Sequence, residues 1–354
     1  MKKLIAMLLV VVMVAALCCA CNAGSDEMYI PVLAKGFQHQ FWQTVQAGSD
    51  AAAKDYGVKI YFVGPDSESD IDVQVDQFKQ ELGKKPAAIA LAALSTEAVK
   101  ELLQQCASKN IPVIGFDSGV PGDTSGALKA TASTNNQNAA GIAAEKFGEH
   151  ADLVAAMKAA TPEKPVRIGC LSQDATSESV TSRTTGFVNK MAEIASQYGT
   201  VAVTGHDSWK KGDVAAASII IDVAISASPD VVDVQNAANM LLAKEDLIAT
   251  FISNEGAVTG FLAAVSGGKD LADGAKYADL VVAGFDAGKA QKDAVRNGWF
   301  YGSVTQDPYR IGYLAVELAV KAAKGEAVTD VDTGAKWYDA SNIDNADIAQ
   351  LVYD

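Results

Sequence analysis

Residues 29–63 read YIPVLAKGFQHQFWQTVQAGSDAAAKDYGVKIYFV. The apolar run Tyr29–Ala34 predicts a strand, Gln43–Tyr56 an amphipathic helix stopped by Gly57, and Val58–Val63 a second strand. The rhythm continues outward. Ile71–Leu82 predicts a helix ending at Gly83, Ala88–Ala92 a strand, Thr96–Ser108 a helix and Val113–Phe116 a strand. Strands that alternate with helices, with no tight hairpin between them, form a parallel sheet covered on both faces. A polar stretch, Asp117–Thr134, interrupts the pattern and reads as a loop. It then restarts with helix Gln137–Phe147, strand Val166–Leu171, helix Val180–Tyr198 and strand Val201–Thr204. Val214–Ala227 and Val234–Lys244 read as helices, followed by strand Leu247–Ile252 and helix Ala257–Val265. Strand Leu280–Phe285, helix Lys289–Asn297, strand Phe300–Thr305 and helix Tyr309–Lys324 complete it. The expected fold class is α/β, with two doubly wound parallel-sheet, Rossmann-like domains.

The 354 residues carry a net charge of -14, and 49% of them are hydrophobic. An acidic body repels phosphate backbones, so no nucleic-acid partner is expected. The two early basic residues, Lys2 and Lys3, precede the apolar run Leu4–Leu17, which is long enough for a signal-peptide core and short of a membrane span. Cys18-Cys19-Ala20-Cys21 follows. This segment resembles a bacterial lipoprotein signal, which implies cleavage after residue 20 and lipidation of Cys21. Residues 21–27 are then anchor and linker, and two acyl chains on one Cys suffice for a stable hold on the membrane. The remaining cysteines, Cys106 and Cys170, lack CxxC or His partners and read as buried small hydrophobes.

Ligands of open parallel sheets sit at the carboxyl ends of the strands. Those ends carry Lys35, His39, Phe41 and Trp42 after the first strand and Asp117 after the fourth. Arg183 opens the helix after Val166–Leu171, and Trp209 follows Val201–Thr204. Asn254 and Glu255, Asp286, and Gln306 follow the last three strands. Carboxylates accept from hydroxyls, a guanidinium fork donates to paired oxygens, amides do both, and rings cover the C–H faces of a sugar. No His/Cys/carboxylate spacing forms a metal framework, and no GxGxxG follows the first strand, so neither metal nor cofactor is expected. Asp66-x-Glu68-x-Asp70-x-Asp72 lacks the Gly and the last Glu of a calcium loop and reads as a solvated acidic helix cap.

In the order and spacing of Lys35–Trp42, Ile114–Asp117, Ser182–Phe187, Ser253–Gly256, Gly284–Asp286 and Val304–Pro308, the chain resembles the ribose-type sugar-binding proteins of bacterial ABC transporters. That resemblance implies the type I periplasmic-binding fold, two domains joined by a three-strand hinge. The chain would cross near Ala132–Asn135, near Gln306–Pro308 and near Trp337. The first domain would be 28–133 plus 307–336, and the second 134–306 plus 337–354. It also implies ligand contact by Lys35, His39, Phe41, Trp42, Asp117, Arg183, Trp209, Asn254, Asp286 and Gln306. The chain departs from the family at Asp117-Ser118, where ribose binders often carry Asp-Arg, and at Leu91–Leu94, where they carry Asn.

The function implied is a monomeric extracytoplasmic lipoprotein. It would capture a monosaccharide or cyclic polyol by hinge closure and hand it to an ABC permease with its ATPase, without catalysis. A sensor coupled to a receptor or kinase is the alternative. A glycoside-cleaving enzyme is a weaker reading, because sugar binding uses the same residues. A DNA-binding repressor is excluded by a signal segment where a headpiece would stand. On this reading Arg183→Ala abolishes ligand-induced stabilisation and leaves the ligand-free melting temperature nearly unchanged.

Overall fold

A computed structural model describes residues 27–37 and 39–353. The signal segment, Cys21 and Gln38 lie outside the described residues.

The first sheet contains β1 (Tyr29–Leu33), β2 (Lys59–Val63), β3 (Ile89–Leu91), β4 (Val113–Phe116), β5 (Leu128–Ser133) and β12 (Val331–Asp332), in the order β12-β5-β4-β3-β1-β2. Every pairing in it is parallel. β3 and β4 are buried along their whole length, as strands covered on both faces must be. Helices α1 (Gln40–Tyr56), α2 (Ile71–Gly83), α3 (Lys100–Ser108) and α10 (Pro308–Ala323) flank this sheet. α1 ends where Gly57 turns left-handed and its N–H bonds back to Ala53 and Lys54. α1 and α10 touch backbone to backbone. A side chain on Gly48 would strike the Tyr309 carbonyl, and one on Gly312 would strike that of Val45.

The second sheet contains β6 (Val166–Ser172), β7 (Val201–Thr204), β8 (Ile219–Ile225), β9 (Leu247–Ile252), β10 (Val281–Phe285), β11 (Gly302–Thr305) and β13 (Lys336–Tyr338), in the order β13-β11-β10-β9-β6-β8-β7. Only β13 runs antiparallel, against β11. Its helices are α4 (Asn136–Glu149), α5 (Ala151–Ala159), α6 (Glu178–Ala195), α7 (Val231–Leu242), α8 (Glu255–Ala264) and α9 (Lys289–Arg296). A last turn, α11 (Ala346–Ala349), precedes the C-terminus.

The chain passes between the sheets three times, from β5 to α4, from β11 to α10 and from β12 to β13. At the hinge Thr134 and Thr333 share a hydroxyl hydrogen bond of 3.2 Å. This is the type I periplasmic-binding architecture.

Two expectations need correction. Val214–Ala227 is not a helix: after a short 3-10 turn at Val214–Ala216 it becomes β8. The run Ile219-Ile220-Ile221-Asp222-Val223 is β-branched at four of five positions and fits the buried slot between β6 and β7. The polar stretch Asp117–Thr134 contains β5, where alternate residues Ala130 and Ala132 face the core. Cys106 and Cys170 are buried free thiols, as expected, and burial pushes both up to about 12.

Candidate functional site

Nine of the ten residues singled out from the sequence line one cavity between the two sheets. They are Lys35, His39, Phe41, Trp42, Asp117, Arg183, Asn254, Asp286 and Gln306, joined by Glu68, Val180 and Glu255. Each sits at or near the carboxyl end of a strand, so two sheets present their loop edges to one another.

On the first-domain side, Lys35 Nζ lies 3.1 Å from Asp117 Oδ2, with both side chains buried. The pair lacks hydrogen-bond geometry, so Asp117 Oδ2 is a buried acceptor without a donor. Burial works to lower the pKa of Lys35, but Asp117 and then Glu68 outweigh it and raise it. Phe41 and Trp42 meet edge to face at 5.1 Å, and both are buried. Trp42 Nε1 donates to Glu68 Oε1 at 2.8 Å. Burial pushes the Glu68 carboxyl up, yet Lys35, His39 and two hydrogen bonds hold it below the usual range. Burial lowers the His39 imidazole against the pull of Glu68 and Asp286.

On the second-domain side, Asp286 accepts from Gln306 Nε2 at 2.7 Å and from the Glu255 N–H at 2.9 Å. Arg183 lies with its guanidinium carbon 3.9 Å over the Phe285 ring. It donates to Asn136 Oδ1 at 2.8 Å and to the Ser253 carbonyl at 3.2 Å, and stands 3.7 Å from Asp286. Arg183 is thereby a structural cation as well as a cleft donor. Asn254 caps its own helix, accepting from Ala257 N–H, and donates to Gln173 Oε1 at 2.7 Å. Gln306 Oε1, like Asp117 Oδ2, is buried without a donor.

The two sides touch. Lys35 Nζ donates to Ser179 Oγ at 3.1 Å, Ser118 Oγ to Ser179 Oγ at 2.9 Å, and Gln173 Nε2 to Glu68 Oε2 at 2.7 Å. Ser118, where ribose binders often carry Arg, thus serves as a cross-domain contact. The remaining space is about 20 Å³, room for roughly one water. A ligand of monosaccharide size therefore enters only when the domains part. Larger hollows exist, one of them about 710 Å³ and lined by hinge residues such as Asn135 and Asp332. Those two already bond each other at 3.0 Å, and the charged side chains of both sheets converge elsewhere, at the small cavity.

Trp209 stands apart from the other nine. It lies outside the cavity, beside His206, with its Nε1 donating to Thr185 Oγ1 at 3.0 Å. The cause is β8. Because β8 takes the place next to β6, β7 and its loop move out to the sheet edge.

Glu68 was missed because its acidic neighbours suggested a solvated cap, whereas it is only 5% exposed. Its position after β2 was the available signal. Gln173 directly follows β6, and Glu255 stood beside Asn254 in the strand-end inventory.

A family model described as "Periplasmic binding protein domain" matches residues 30–327. The chain belongs to the periplasmic binding protein family. Its sequence is similar to the ribose import binding protein of Haemophilus influenzae, at 23% identity over 93% of this chain and 96% of that one. Its structure resembles an "ABC transporter, LacI family transcriptional regulator" of Brachyspira murdochii, with TM-score 0.77 and 42% identity over 94% of this chain and 100% of that one. It also resembles a carbohydrate transporter solute binding protein of Agrobacterium radiobacter in complex with D-arabinose. There the TM-score is 0.74 and the identity 27%, over 93% and 99% of the two chains. Family membership implies an extracytoplasmic location. Among the described residues no helix is long and apolar enough to cross a membrane.

Proposed function

We propose that this periplasmic binding protein captures a neutral monosaccharide or related cyclic polyol in the inter-domain cleft and delivers it to an ABC permease. The observation that carries the reading is the convergence of carboxylates, amides and two cations from both domains on one cavity. Asp117 Oδ2 and Gln306 Oε1 are buried acceptors that ligand hydroxyls would satisfy. Lys35 and Arg183 each already face a carboxylate, which leaves no spare cation for an acidic sugar. Phe41 and Trp42 supply ring surface on one side only. The arabinose-bound relative supports a sugar as the class of ligand. We further propose a lipid anchor at Cys21 and a monomeric state. The mechanism is binding: the ligand must favour the closed form in order to populate it.

A thermal-shift screen of the protein against monosaccharides, polyols, uronic acids, nucleosides and amino acids tests this. A ligand at ~100 times its dissociation constant adds ~2.7 kcal/mol to stability. A rise with neutral sugars and none with uronic acids is expected. A rise with nucleosides or amino acids alone would overturn the sugar assignment.

A further inference from the structure

We infer that Gln40 and Glu255 are positioning residues that latch the domains shut, each capping across the cleft a helix of the opposite domain. The first N–H groups of any helix have no partner within it and need an acceptor at the N-cap. α1 begins after His39, whose side chain makes no cap bond. α9 begins after Gly288, which has no side chain to offer. Both helices start at the cleft, and both acceptors come from the other side. Glu255, at the start of α8, takes the Gln40 and Phe41 N–H groups of α1 at 3.4 and 3.3 Å, one on each carboxylate oxygen. Gln40 returns the bond, its Oε1 accepting from the Lys289 N–H of α9 at 2.8 Å. Gly288 makes room for the exchange, since a side chain there would strike Glu255 Oε1 and crowd Gln40.

The two caps exist only when the domains meet. Opening the hinge hands three helix N–H groups back to water, so the closed form alone holds this capping. Gln40 is the stronger arm, because its bond is short while those of Glu255 are long. Glu255 carries a second burden, its carboxylate being partly buried beside Asp286. These residues touch helix ends, so they set how long the cleft stays shut.

The ligand-loaded half of the test rests on the solute-binding reading, and the ligand-free half does not. Spin labels at Val73 and Val232, exposed residues on α2 and α7, report the distance between the domains. In the ligand-free protein Gln40→Ala is expected to lower the closed-to-open ratio about fivefold, the factor that goes with one lost cap. Glu255→Ala lowers it less, and Glu255→Gln, which keeps one acceptor oxygen, restores part of it. The melting temperature of Gln40→Ala stays near that of the parent. With a bound sugar, Gln40→Ala raises the dissociation rate by the same factor and leaves association unchanged. Equal closed populations in the parent and both alanine variants would overturn the latch, as would lowered melting temperatures with unchanged populations. If populations shift but no sugar binds, the latch stands and the sugar reading falls. If sugars bind with equal populations, the reverse holds.

Discussion

Asp117 and Asp286 occupy the same place in the two halves of the molecule. Each is the first residue after a strand, β4 or β10, that lies beside a crossing strand. Each has a left-handed backbone, with φ of 55° and 79°, a conformation Asp tolerates at a modest cost. Their N–H groups bond to the crossing strands in the same way, to Ala132 at 3.0 Å and Val304 at 2.7 Å. Their carbonyls accept from Ser133 at 2.6 Å and Ser303 at 3.0 Å. The side chains then diverge. Asp286 is satisfied by its own scaffold, through Gln306, the Glu255 N–H and nearby Arg183. Asp117 faces a single ammonium and retains an unsatisfied oxygen. The difference teaches that one backbone design yields two kinds of rim. Asp286 is preassembled, and Asp117 has an acceptor oxygen to spare.

The sharpest way to break this contrast is Arg183→Ala. The sequence reading expects little change in the ligand-free protein. The structure reverses that, because Arg183 holds Asn136, Ser253 and Asp286 within the second rim. Removing one partner of a buried charge pair costs about 3–5 kcal/mol, readable by urea unfolding without ligand.

The pH dependence comes next. Burial, and then Asp286, push Glu255 from 4.5 up to about 7. The closed, folded state therefore binds a proton that the unfolded chain releases near 4.5. Stability falls as pH rises from about 4.5 through 7, by up to about 3 kcal/mol, and is flat above. Glu68 has the opposite sign. Its lowered pKa makes a contribution present above the ordinary carboxylate range and lost as pH falls below it. Unfolding measured across pH 4 to 8 should drop on the alkaline side in the parent and lose that drop in Glu255→Gln.

The paired variants Asp117→Asn and Asp286→Asn sharpen the comparison itself. Asp117→Asn should weaken ligand binding by about 1–3 kcal/mol, the worth of a buried charged acceptor. Asp286→Asn should also bring the Glu255 titration back toward the ordinary carboxylate range, which NMR of the side-chain carboxyl would follow. The smallest effect expected is that of Trp209→Ala. Ligand affinity should stay within about twofold, since the ring lies at the sheet edge.

Most of the architecture was legible because apolar runs of strand length alternate with helical periodicity from Tyr29 to Lys324. The strand-end rule then pointed at one edge of each sheet, which is why Lys35, Asp117, Arg183, Asn254, Asp286 and Gln306 end up around one cavity. What stayed hidden depends on neighbours far away in the chain. Glu68 reads as a solvated acid until Trp42 and Gln173 are beside it. Trp209 follows a strand end like the other candidates, and the family resemblance places it in the cleft. Only the pairing of β8 with β6 moves the preceding loop to the edge. Gln40 and Glu255 gave no signal as caps, because the helices they serve lie 249 and 215 positions away in sequence.

The measurement that bears most directly on the central claim is calorimetric titration of neutral monosaccharides into the parent protein and Asp117→Asn. The account predicts saturable one-to-one binding of at least one neutral sugar to the parent, weakened about fivefold or more in the variant. No binding of any neutral sugar, or equal affinity in both proteins, would contradict it.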